Sequence, residues 1–157
     1  MSEAIVETLT HSGNSGTANI TLASDGKVTI PEKKLVCPGT IIQVVQTVKT
    51  DTWSHAAVSR ADITGLSAAI TPTASSSKIL INYHLYVSAP NGSLNAVIHL
   101  MRGSTDIFEG DAASSRTRGS AAIWTTNDSN GHMYPQLATG TFLDSPSTTS
   151  ATTYKIQ

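Results

Sequence analysis

Five histidines, a short acidic cluster and a few aromatic side chains are the residues of this chain best equipped for chemistry. His11, His55, His84, His99 and His132 stand apart from one another. None has the i, i+4 spacing by which one helix face presents two imidazoles to a metal. His84 and His99 fall on segments that read as neighbouring strands. They could face each other across a hairpin, or across a three-fold axis with one residue from each subunit. The expectation is nevertheless a pair of polar-face histidines without metal. Asp106, Glu109 and Asp111 are the one acidic cluster, set around Gly103 and Gly110. Carboxylate oxygens could take calcium, but the spacing is not that of an EF-hand, so a solvated loop is expected. No metal and no cofactor is predicted.

Catalytic arrangements fare worse. No Gly-x-Ser-x-Gly elbow, Gly-rich phosphate loop or Cys/His zinc spacing is present. Nothing in the spacing of Asp51, Asp62, Asp128 and Asp144 makes a glycosidase pair, which needs two carboxyls about 5–10 Å apart in a cleft. The sequence therefore predicts no enzyme. Cys37 is the single cysteine, so an intrachain disulfide is excluded, and its place in "LVCPG" reads as a small apolar residue leading into a strand. The aromatics suggest more. Trp53 and His55 sit in "TDTWSHA", and Trp124 lies near "TTNDSNGHMYP", which holds His132 and Tyr134. Aromatic faces with Asn and Asp beside them suit stacking on sugar rings, and the same side chains could equally plug a core or a subunit interface. Trp53, Trp124 and Tyr134 are the candidate ligand-contact residues.

The elements that must position these residues are strands. Charged residues make up 13% of the 157, about half the usual share. The missing polarity comes from 20 serines and 22 threonines. Such residues suit exposed strand faces and turns better than the wet face of a long helix. Net charge is −1 with the basic residues scattered, which argues against nucleic-acid binding. No apolar run approaches the roughly 20 residues of a membrane-spanning helix, and the first residues lack the charged and apolar regions of a signal peptide. Synthesis and assembly in a cytoplasm are expected.

Two regions are expected. Residues 1–36 hold a weakly amphipathic start, a "GNSG" break and "ANITLASDGKVTI". The alternation around Asp25-Gly26 predicts a tight hairpin ended by Pro31. Residues 37–157 hold strands separated by turn clusters. "TIIQVVQTVK" (40–49) is apolar on both faces, as in a strand deep in a sandwich or at an interface. In "KILINYHLYVS" (78–88), Ile79, Ile81, Tyr83, Leu85 and Val87 share the predicted core face. "NAVIHLMRG" (95–103) is predicted as its hairpin partner, and "AAIWTT", "GTFLDS" and "TTYKIQ" complete seven or eight strands. "DITGLSAAIT" allows one helical turn at most. The expectation is an all-β, jelly-roll-like sandwich with a short N-terminal attachment segment.

The phrases "PGTIIQVVQTV", "KILINYHLYVS", "MRGSTDIFEGD" and "FLDSPSTTSATTYKI" occur in an order that resembles bacteriophage fibre and virion-surface proteins of marine, cyanophage-like type. The resemblance covers residues 37–157 and carries no catalytic residue. It implies a tumour-necrosis-factor-like jelly roll, usually a homotrimer, on the virion and commonly at a fibre tip. The short hairpin near the N-terminus is similar to fibre-shaft units, which implies attachment to other virion proteins through residues 1–36. With the aromatic candidates above, the leading expectation is a fibre subunit that contacts a host-surface glycan. A capsid decoration or assembly role, and less favoured a glycan depolymerase, are the alternatives. Domains of this kind run on past "TTYKI" through a Gly-rich turn into a further strand. Here Gln157 is the last residue, so a neighbouring chain could supply that strand, the sequence could be a piece, or the domain could be shortened.

Overall fold

A computed structural model describes residues 8–9, 20–22, 24–29, 41–56, 59–88, 94–125 and 134–157. Among these residues the regular structure is strand alone, all of it antiparallel, so the protein is all-β. Two compact units divide the chain, 1–44 and 45–157.

The first unit holds a three-stranded sheet of β1 (Thr8–Leu9), β2 (Ile20–Leu22) and β3 (Val28–Thr29), in that order. The predicted hairpin is there: Leu22 faces Val28 and Thr21 faces Thr29. Gly26 takes a φ of +82°, a conformation glycine adopts without steric cost. The Asp25 carboxylate accepts the Lys27 backbone N–H at 3.1 Å, which closes the turn. Pro31, Cys37 and His11 lie outside the described residues.

The second unit contains β4 (Ser67–Ile70), β5 (Ile79–Val87), β6 (Leu94–Ile98), β7 (Leu100–Arg102), β8 (Thr105–Asp106), β9 (Ala121–Thr125), β10 (Gln136–Asp144) and β11 (Thr152–Ile156). One sheet has the order β4-β11-β7-β8, and two further pairs are β5 with β10 and β6 with β9. The alternation in β5 does what its period demands. Tyr83 and Leu85 are buried, Ile79, Ile81 and Val87 half-buried, and Leu80, Asn82, His84 and Tyr86 exposed. Tyr83, Leu85 and Ala138 from β5 and β10 meet Ile98, Leu100, Ile123 and Ile156 in one core. Phe108 stacks on Phe142 at its margin, with ring centroids 5.1 Å apart. Leu100 is only 2% exposed. Full burial of such a side chain is worth about 1.5–3 kcal/mol. Gly140 stands opposite Tyr83, and a methyl group there would fall 2.6 Å from the ring. Glycine is what lets the tyrosine lie flat across β10.

Three expectations are corrected. First, β5 does not pair with residues 95–103. Its partner is β10, in register over nine residues from Ile79↔Asp144 to Val87↔Gln136. Second, residues 95–103 are not one strand. The chain leaves β6, paired with β9, passes through His99 and enters β7, paired with β11 and β8. At His99 the backbone N–H and C=O both bond Gln157, at 2.9 and 3.0 Å. The ladder thus stays satisfied while the strand changes sheets. Third, residues 41–49 belong to no strand, and their aliphatics face water: Ile41 is 78% exposed, Val44 81% and Val48 69%. Apolar residues on both faces predicted a strand, but among the described residues the segment is tied to β4 only through side chains, with the Thr47 hydroxyl donating to the Ser67 carbonyl at 2.8 Å. The segment that allowed one helical turn at most holds a single turn at Thr64 and Gly65 leading into β4, with Gly65 at a φ of +84°. The last strand, β11, is paired on both sides, so β4 and β8 form the edges of its sheet.

Candidate functional site

Two acidic centres in the second unit draw basic residues around them. The first ties strands together. Asp144, 6% exposed at the end of β10, accepts two bonds from the Arg102 Nη1 of β7 at 2.8 and 2.9 Å and one from the Tyr154 hydroxyl of β11 at 2.7 Å. Arg102 and Tyr154 are themselves opposite each other in the β7–β11 ladder. Burial, followed by the hydrogen bond to Asp144, raises the Tyr154 pKa well beyond the usual phenol value. The hydroxyl stays protonated and donates.

The second centre gathers His99, Asp106 and Glu109. The turn at Gly103-Ser104, with Gly103 at a φ of +59°, folds β8 back on β7 so that Asp106 faces Met101. Two residues before Met101, on the same side of the chain, is His99; Asp106 is its diagonal neighbour. A ring nitrogen of His99 and one carboxylate oxygen each of Asp106 and Glu109 lie within 4.8 Å of one another. His99 is 5% exposed. Its Nδ1 sits 3.2 Å from Asp106 Oδ1 without the alignment of a hydrogen bond, and it has no other partner. Glu109 Oε2 is also buried without a partner. From the solvent side Arg60 Nη1 grips both oxygens of Asp106 at 2.9 and 2.8 Å, and Arg118 pairs with Glu109 Oε1 at 3.0 Å. Burial lowers the His99 pKa, and the Arg60 charge adds to that against the pull of Asp106 and Glu109. The ring is neutral at neutral pH. At Asp106 burial works to raise the pKa, but the bond and charge of Arg60 outweigh it and hold the carboxyl below its usual range.

The sequence treated the histidines and the acidic cluster as separate matters. Asp111 stays exposed, while His99 joins Asp106 and Glu109. His84 is elsewhere, on the outward side of β5, where its Nδ1 lies 3.2 Å from the Thr139 hydroxyl of β10. The signal that could have united the site is the spacing His-x6-Asp-x2-Glu around a tight turn.

The three aromatic candidates occupy separate segments. Trp53 stacks on His55 in the strand-free segment ahead of β4, with ring centroids 5.6 Å apart and planes at 16°. His55 Nε2 in turn lies 2.9 Å from the Ser59 carbonyl, which holds the stack in place. Trp124 is on β9 rather than in a loop, 57% exposed, beside a shallow groove of about 440 Å³ lined by Val97, Thr117, Gly119 and Ala122. Tyr134 is exposed just ahead of β10. His132 lies outside the described residues.

No protein family, curated protein or solved structure matches this chain. Among the described residues no helix is long and apolar enough to cross a membrane.

Proposed function

We propose that this chain is a non-enzymatic structural subunit of a bacteriophage fibre, a jelly-roll-like sandwich that assembles as a homotrimer on the virion and contacts a host-surface glycan. The observation that carries the reading is apolar surface left uncovered in one copy. On the outward side of the β5–β10 pair, Leu80 faces Leu143 and Tyr86 faces Leu137, and all four are exposed. Val45 and Val48 add to the exposed apolar surface of the same unit. Single exposed aliphatics are ordinary, but matched cross-strand pairs are what a subunit keeps for burial against its copies. In this reading residues 1–36 attach to other virion proteins, and Trp53, Trp124 and Tyr134 offer rigid rings to a sugar. A net charge of −1 suits an uncharged glycan better than a phosphate-rich polymer.

Light scattering on the full chain tests the assembly. A mass three times the 16.4 kDa of one chain is expected, and a stable monomer at micromolar concentration overturns the trimer. A Leu80→Lys, Leu143→Lys double variant should fold as a monomer. Purified protein should compete with virions for host cells. Alanine at Trp53, Trp124 or Tyr134 should reduce that competition with the melting temperature intact. Binding to virion partners without any glycan binding would point instead to a decoration role, and shortening of the polymer on incubation to a depolymerase.

A further inference from the structure

We propose that His99, Asp106 and Glu109 form a binding site for a first-row divalent cation of the zinc type, a role independent of the fibre reading. One imidazole with two carboxylates is a donor set that zinc accepts, with a fourth position left to water. The geometry starts close to what such an ion requires. His99 Nδ1 and Asp106 Oδ1 are 3.2 Å apart. They would subtend about 100° at an ion roughly 2.1 Å from each. The Glu109 oxygen already lies within 4.8 Å of both. A torsion of its side chain would bring it to the roughly 3.4 Å of a tetrahedral edge.

What separates this cluster from an ordinary ion-pair network is the pair of orphaned atoms. Glu109 Oε2 is buried without a partner, and buried His99 Nδ1 has only the contact with Asp106 Oδ1 at 3.2 Å, which lacks the alignment of a hydrogen bond. An unmet buried polar atom is costly, and protein interiors rarely leave two in one cluster unless something else meets them. A bound cation would meet both.

Charge works in the same direction. Arg60 and Arg118 balance the two carboxylates, and both guanidiniums are close to half exposed, at 46% and 42% of the side chain. They can turn into water when a cation arrives. Asp106 also keeps acceptor capacity, since each carboxylate oxygen has a second lone pair beyond the one Arg60 takes. The arginines are therefore counter-ions that a divalent cation displaces. A calcium-type ion is disfavoured, because it takes oxygen ligands and an imidazole is the most buried donor of this set.

The test uses the full chain stripped with chelator and titrated with zinc chloride, with cobalt(II) as the spectroscopic probe. One zinc per chain should bind, the melting temperature should rise, and cobalt should give a visible d–d band. Glu109→Gln is the principal variant, because Glu109 is not in the hydrophobic core and the protein should still fold. It should weaken zinc binding by at least tenfold and lose the cobalt band. Arg118→Gln, which frees Glu109 of its competing cation, should tighten binding severalfold. Zinc bound equally well by Glu109→Gln and by the parent would place the metal on exposed histidines such as His55 or His84 and overturn the proposal. No melting shift and no cobalt band would do the same, as would saturable calcium binding in place of zinc.

Discussion

The two acidic centres of the second unit are built from the same kinds of residue and reach opposite outcomes. Asp144 collects Arg102 and Tyr154 from the neighbouring sheet, and the buried polar atoms of this trio all have partners. Asp106 and Glu109 collect Arg60, Arg118 and His99, and two buried atoms are left without one. The difference lies in where the donors come from. At Asp144 both donors sit on strands fixed in one ladder, so their geometry is set by backbone pairing. At Asp106 and Glu109 the arginines reach in from exposed positions and fit only in part. A polar centre assembled from strands closes itself, whereas one assembled from a sheet crossing and a loop keeps capacity to spare.

Substitutions at the two centres test that contrast. Asp144→Ala should have the largest effect, about 3 kcal/mol in urea denaturation, because it strands a buried tyrosine hydroxyl and a guanidinium. The value falls at the low end of the range expected for a broken buried pair. The reason is that the Arg102 side chain is 30% exposed and can partly rehydrate. Tyr154→Phe removes one charge-assisted bond from the same centre and should cost about 1.5 kcal/mol by the same measurement. Asp106→Asn should cost about 1 kcal/mol or less, because its partner Arg60 is well exposed. A loss at Asp106 equal to that at Asp144 would mean both centres are structural clips and the contrast is void.

The smallest effect belongs to an exposed pair used as a baseline. Asp62 accepts from Lys155 at 2.8 Å and from Gln157 at 2.7 Å, and those bonds hold its pKa below the usual carboxylate range. A depressed folded pKa contributes stability above the unfolded value of about 4 that is lost as pH falls through the folded one. Asp62→Asn should therefore lower the melting temperature slightly near neutrality, the group being exposed, and flatten its decline below about pH 4. An unaltered acid limb would mean that Asp62 plays no part in acid unfolding.

Sequence periodicity carried the faces of strands well and their partners poorly. In β5 the period of two separates Tyr83 and Leu85 from Leu80 and Tyr86, because the pleat enforces it. The partner of β5 lies some fifty residues further along the chain, and alternation says nothing about which of several similar strands will be met. Local turn chemistry was legible at Asp25-Gly26, where the residue types fix the backbone. It misled after β5, where the segment following "APNGS" pairs with β9. The candidate cation site was divided between two readings for a related reason. His99 lies where one run of apolar residues changes sheets, and the run itself carries no mark of that bend. Residues 41–49 show the converse: their composition announces burial, and one copy of the chain does not provide it.

The position of β11 between β4 and β7 has a consequence in time. Within their sheet β4 and β7 are joined only through β11, and about 80 residues separate the end of β4 from its partner. At a synthesis rate of roughly 10 residues per second, β4 emerges about 8 seconds before the strand that completes it. During that interval the alternating Ser67–Ile70 segment has an unpaired backbone and no place in its sheet. Closure of this sheet thus waits until residues 152–156 have been made. Pairings so distant in sequence make for slow folding.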